Sequence, residues 1–222
     1  METGRAARTG RRSPRPEERQ RDAERTRERI LAAAVAEFGD KGYAGARVSG
    51  IAARAGVNVQ LISYYFGGKA GLYRELTARW RLTSAELSDA GSLADVVAGF
   101  ARVSLQQRDW TRLLLWDGLT DPPADPGDEA TPPTDDEPDF LLAAVADLRD
   151  RQAAGELPAD LEPAQLLLAL FAAGCAPVML PQVARRLGLD PAAADFADSY
   201  PALVGRLVQL LGGAADRPQS PT

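Results

Sequence analysis

Apolar residues recur along this chain at helical spacing, three to four positions apart, over most of its length. From Glu18 to Gly39 the positions Ile30, Leu31, Ala34, Val35 and Phe38 form one apolar stripe with Arg or Glu elsewhere, so a helix is expected that ends at the glycines Gly39 and Gly42. A short helix follows in which Val48, Ile51, Ala52 and Ala55 fall at i, i+3, i+4 and i+7, and Gly56 stops it. Asn58 can cap a second short helix from about Val59 to Tyr65, with Val57, Ile62 and Phe66 turned inward. Asn58, Val59, Gln60, Ser63 and Tyr64 are thereby left to face outward, and the pair reads as a helix-turn-helix with an exposed second helix. Gly67-Gly68 breaks that helix, and Lys69 opens a long one through Leu72, Leu76 and Trp80 toward Leu87.

The remainder is all-helical in outline. Segments are expected at Leu93–Gln107, Asp109–Leu119, Phe140–Ala154, Pro163–Cys175, Pro177–Leu187 and Tyr200–Leu211. The fold class is therefore all-α, with an N-terminal helix-turn-helix and a C-terminal helical bundle. The expected division is 1–20 as an Arg-rich disordered tail, 21–68 as the helix-turn-helix unit and 69–87 as a connecting helix. Residues 88–213 form the bundle and 214–222 a second tail. Residues 121–139 are proline-rich with eight acidic residues, which makes them a loop. They read as a solvated insert or, alternatively, as a carboxylate-lined cation site.

Composition adds to this picture. The 222 residues are 45% hydrophobic, ample for a packed core. A single cysteine, Cys175, rules out an internal disulfide, and with no histidine the usual soft-metal ligand sets are missing, so no metal and no cofactor are expected. The Arg11-Arg12 pair is followed by no apolar stretch that could be translocated, and the longest apolar run, Leu166–Leu180, is too short for a bilayer and carries Pro177. A cytoplasmic protein without a membrane partner is the expectation.

Net charge misleads until it is divided. The whole chain is −5, but residues 1–81 hold 17 Lys and Arg against 9 Asp and Glu, and residues 82–222 hold 9 against 22. The basic part coincides with the helix-turn-helix, the distribution expected of a module that attracts phosphates joined to one that does not. Arg5, Arg8, Arg11, Arg12 and Arg15 read either as a solubilising tail or as an arm giving weak, non-specific help to binding.

The ordered series Phe38, Gly42, Ile51-Ala52, Ala55-Gly56-Val57, Tyr65-Phe66, Lys69 and Leu72 resembles the DNA-binding region of the tetracycline-repressor (TetR) family of bacterial transcription regulators, over roughly Arg25 to Leu82. The residues themselves allow Gln60 and Asn58 to pair with an adenine edge and Val59 or Leu61 to touch a thymine methyl. Lys69, Tyr64 and Ser63 would address phosphates. The resemblance implies the same division of labour: outward residues of the second helix on bases, with Tyr65 and Lys69 after it on the backbone. Two positions depart from the family. Arg47 stands where a threonine usually caps the first helix of the motif; it cannot cap but can bind a phosphate, leaving the cap lost or passed to another group. Ser63 stands where many members have a tyrosine.

In the second half, Trp110, Leu114, Phe140, Phe171 and Met179 are ordinary core or the lining of a cavity; the resemblance implies a small-molecule inducer site among these helices. The segment around Leu167, Leu170 and Phe171 is apolar nearly all round, and Leu203, Leu207, Leu210 and Leu211 form a stripe. Such helices fit a homodimer interface around a two-fold axis, as the family commonly builds, or a larger monomeric core. A dimer would present two reading helices about 34–36 Å apart, or a multiple of that, to a palindromic operator. The expected function is a ligand-responsive repressor, released from double-stranded operator DNA by a small-molecule effector. The alternative is an architectural or adaptor DNA-binding protein without small-molecule control. An enzyme is not expected, since no histidine, Gly-rich phosphate loop or paired-carboxylate motif is present.

Overall fold

In the computed structural model, residues 16–88, 91–119 and 140–215 are described, and among them every regular element is a helix. In order these are α1 (Pro16–Gly45), α2 (Val48–Ala55), α3 (Val59–Phe66), α4 (Lys69–Ser88), α5 (Leu93–Gln106) and α6 (Arg108–Leu119). They continue with α7 (Phe140–Ala153), α8 (Pro163–Met179), α9 (Pro181–Arg186) and α10 (Ala194–Ala215). The loop 121–139 and most of the two tails lie outside the described residues.

One core joins the first helices. Ile30, Leu31, Ala34 and Phe38 of α1 are buried against Ile51 and Ala52 of α2, Ile62 and Phe66 of α3, and Leu72 and Leu76 of α4. Leu113 of α6 enters the same cluster, so the second half is seated directly on the first. Behind it, Ala94 and Val97 of α5 pack on Val204 and Val208 of α10, and Leu105, Val178 and Phe196 close a third cluster.

Several boundaries differ from the periodic reading, each for a local reason. α1 begins at Pro16, inside the stretch expected to be a disordered tail. It also runs past Gly39 and is interrupted only at Gly42, whose φ of 67° is open to glycine and costly for other residues. Gly39 is not a stop signal but a contact: a Cβ there would lie 2.5 Å from the Asp109 carbonyl oxygen of α6. Pro177, expected to end one helix and start the next, is inside α8. A proline leaves the carbonyl four residues earlier without its partner. That carbonyl belongs to Ala173, and the Tyr200 hydroxyl donates to it at 2.7 Å, so the helix continues. α9 accordingly starts only at Pro181, and α10 begins at Ala194, six residues before the expected Tyr200.

Candidate nucleic-acid interface

The turn between α2 and α3 is set by backbone chemistry. Gly56 takes the left-handed conformation (φ 63°) and its N–H returns to the Ala52 and Ala53 carbonyls, while the Val57 N–H donates to Ala52 at 3.0 Å. Asn58 then caps α3, its side-chain oxygen accepting from the Gln60 N–H at 3.0 Å. With Ile62 and Phe66 buried on one side, Asn58, Val59, Gln60, Ser63 and Tyr64 are exposed on the other; Tyr64 is 79% accessible. Tyr65 is half-buried, edge-on to Tyr64 at 5.1 Å. The structure thus brings these residues onto one face. It also commits the Asn58 oxygen to the cap.

Lys69 opens α4 beside this face. Its ammonium lies 4.5 Å from the centre of the Tyr43 ring and 3.4 Å from the Ala44 carbonyl oxygen. Close approach of α4 to the end of α3 depends on Gly71, where any side chain would meet the Phe66 carbonyl. Arg47, at the start of α2, is exposed and makes no side-chain cap bond, as its chemistry dictates.

Three further residues hold the motif, and counting apolar positions alone overlooks them. Arg29 donates to the Ala55 and Gly56 carbonyls at 2.6–3.1 Å, closing the C-terminus of α2. Arg27 sits over the Phe66 ring at 5.1 Å and pairs with Glu75 of α4 at 2.8 Å. Glu37 is buried in α1, and a glutamate on a core-facing turn was the available signal: it stands seven residues from Ile30 and three from Ala34. Lys41 and the other donors around it hold its carboxyl below the ordinary glutamate value despite burial.

Residues 30–76, the segment containing this motif, match the family model described as bacterial regulatory proteins, tetR family. The match extends beyond the motif in one relative. The HTH-type transcriptional repressor SCO4008 of Streptomyces coelicolor is 32% identical over 193 residues, covering 85% of this chain and 97% of the relative. The chain belongs to the tetR family of bacterial regulatory proteins. Its members are DNA-binding transcription regulators. Over 64 residues, 29% of this chain and 30% of the relative, it is also 47% identical to the HTH-type transcriptional regulator BetI 2 of Chromohalobacter salexigens. The crystal structure of SCO4942 from Streptomyces coelicolor superposes with a TM-score of 0.63 at 25% identity, covering 87% of this chain and 99% of that one.

In this tetR-family chain the residues expected to line a ligand cavity are dispersed. Trp110 walls a cleft of about 200 Å³ between α1, α4 and α6, together with Glu28, Leu31, Val35, Leu76, Arg79 and Gln107. Leu114 is half-buried on the next turn of α6; Phe171 stacks on Phe100 at 5.1 Å, on the α5–α8 contact; Met179 is 40% exposed at the end of α8. Phe140 begins α7, and its side chain lies outside what is described. Of the expected interface residues, Leu203, Leu207 and Leu210 are each more than half exposed, whereas Leu167, Leu170 and Phe171 are half-buried. The most exposed leucine of α8 is Leu168, at 70%. Cys175 is buried against Ser104, and burial pushes its thiol up to about 11, so it stays protonated at neutral pH. Among the described residues no helix is long and apolar enough to cross a membrane, and no cluster of ligand-type side chains could hold a metal.

Proposed function

We propose that the chain is a repressor that binds a palindromic operator as a homodimer and is released by a small molecule. The observation that carries the reading is the outward face of α3, polar and solvent-exposed on a helix whose other face is locked into the core. Gln60 and Val59 read bases, while Ser63, Tyr64, Tyr65, Lys69 and Arg47 address phosphates. Asn58 joins the bases through its amide N–H groups, its oxygen being held by the cap. On this reading residues 21–68 are the DNA-binding unit, 69–87 the connecting helix and 88–213 the effector and dimerisation unit.

Release by a ligand requires that the second half move the first, and the contacts for it are present. Arg79 of α4 makes a two-pronged pair with Glu28 of α1 at 2.8 and 3.0 Å, and Arg27 pairs α1 with Glu75. α6 is seated on α1 through Leu113 and Trp116. A shift of α6 or α4 is therefore carried to α1 and to the motif packed on it. Leu203, Leu207 and Leu210 of α10 and Leu168 of α8 supply an apolar surface for a second copy.

Footprinting on the DNA flanking the chain's own gene tests the reading. Two-fold symmetric protection at moderate salt is expected, lost on addition of an active compound from a diverse panel. Absence of any symmetric protection overturns the operator; protection that no compound relieves leaves a DNA-binding protein and removes the effector.

A further inference from the structure

The first helix of the motif starts without a cap of its own. Arg47 occupies the N-cap with extended backbone and offers no side-chain acceptor, and Gly50, three residues on, has no side chain. In a capping box that third position supplies a carboxylate which reaches back to the N–H of the cap residue. Here a carboxylate arrives at the same place from another helix. The Glu37 carboxylate of α1 lies at the start of α2: a Cβ on Gly50 would come 2.5 Å from its Oε1 and 3.2 Å from its Oε2, and the nearby Arg47 N–H helps to favour its charged form. The space that a glutamate at position 50 would fill is occupied by the glutamate at position 37.

The carboxylate is fully engaged. Lys41 donates to Oε1 at 2.5 Å and Arg54, near the other end of α2, donates to Oε2 at 3.2 Å, while the Glu37 side chain is only 2% exposed. Eight residues earlier in α1, Arg29 holds the last carbonyls of α2. Eight helical residues span about 12 Å. α2 spans the same length, so α1 grips both ends of an antiparallel neighbour, by a carboxylate at the N–H end and a guanidinium at the C=O end, each matching the helix dipole.

On the reading of α2 and α3 as the operator-binding pair, we infer that Glu37 is a positioning residue for DNA recognition: it caps α2 from α1, so that the cap position itself can carry the outward-facing cation Arg47. A threonine at position 47 would cap its helix and offer a neutral hydroxyl to DNA. The borrowed cap lets this chain place a full positive charge at the mouth of the motif instead, and it makes the setting of α2 depend on α1.

The test is a rescue. Glu37→Ala is expected to accelerate amide exchange at Arg47 in the free protein, read by NMR, and to weaken binding to the protected operator fragment about tenfold, the effect of one lost cap. Gly50→Glu alone is expected to weaken binding too, because its Cβ collides with Glu37. Combined, E37A and G50E place the carboxylate within α2 and are expected to restore both the slow Arg47 exchange and most of the affinity. Glu37→Leu, which keeps comparable bulk and removes the acceptor oxygens, serves if E37A does not fold, with faster Arg47 exchange expected. Unchanged Arg47 exchange in E37A or E37L overturns the inference. So does a double variant no better than E37A, since that would make Glu37 a packing residue only. If the wild-type chain binds no operator at all, the regulator reading fails, while the exchange data still decide the cap.

Discussion

At the scale of single residues, Lys69 and Gln60 make opposite predictions although they stand nine positions apart on one surface. The Lys69 ammonium is held over the Tyr43 ring beside the start of α4, a fixed point charge suited to a phosphate. Lys69→Ala is expected to weaken binding to every sequence alike and to flatten the salt dependence by about 0.9 in log–log slope for one lost phosphate contact. Lys69→Arg should keep the slope. Gln60, whose side chain is exposed while its N–H is tied to Asn58, should instead cost roughly 1–3 kcal/mol at particular base pairs when changed to Ala. Uniform weakening in a base-substituted operator series would remove Gln60 from the bases. Glu37 has a pH signature of its own. Its native value lies below 4.5 because Lys41 and the other donors favour the charged form. The stabilisation is therefore fully present above the ordinary glutamate range and is lost as pH falls through the lowered native value. Thermal melts of wild type against Glu37→Gln should differ by a constant amount, roughly 1–3 kcal/mol, above about pH 5 and converge in more acid solution. A difference independent of pH down to pH 3 would assign the effect to shape and not to charge.

Among the elements, the seating of α6 on α1 is where glycine replaces periodicity as the deciding feature. Gly39 faces the Asp109 backbone, its carbonyl accepts from the Trp116 indole at 3.1 Å, and the same indole lies against Gly42. Backbone atoms cannot swing away as a flexible side chain can. Gly39→Ala is thus expected to push α6 outward and destabilise the chain by about 1–3 kcal/mol, with a displaced Trp116 indole N–H resonance. Gly45→Ala, where a Cβ would meet only Lys41 Cβ at 3.4 Å, should leave both unchanged. This contact also shows what could and could not be read from the sequence. Helix existence was legible throughout, because an amphipathic stripe depends only on local spacing. The exposed face of α3 was legible for the same reason, with Ile62 and Phe66 fixing which side is inward. The ends were not, because Gly39 and Pro177 have local meanings that distant partners override: Asp109 turns the first into a packing site, and the Tyr200 hydroxyl satisfies the carbonyl that the second leaves open. Glu37 was marked by standing as a glutamate on the apolar stripe, but what it does there depends on Arg54 and Gly50, which only the fold brings to it.

For the molecule as a whole, α10 carries two apolar faces, and a single chain uses only one. Val204 and Val208 are buried against Ala94 and Val97 of α5. Leu203, Leu207 and Leu210, at i, i+4 and i+7, are 54%, 51% and 55% exposed on the other side. A lone exposed leucine has no meaning, but a continuous row along a 22-residue helix offers an apolar surface that a second copy would cover. On α8, Leu170 packs against the α5–α10 cluster and Leu167 is half-buried, while Leu168 is 70% exposed. A two-fold partner would also double the basic N-terminal module, turning one weak phosphate-binding surface into a bivalent one whose affinity depends on both halves engaging together. Leu207, in the middle of the row, tests this arrangement. Leu207→Glu should leave helicity and thermal melting of the monomer intact, because the residue is outside the core. It should shift sedimentation to one chain's mass, and operator affinity should fall far more than any single contact to DNA could explain. A dimer that persists in L207E would move the interface off α10, and a monomer that keeps full operator affinity would show that recognition does not need the second copy.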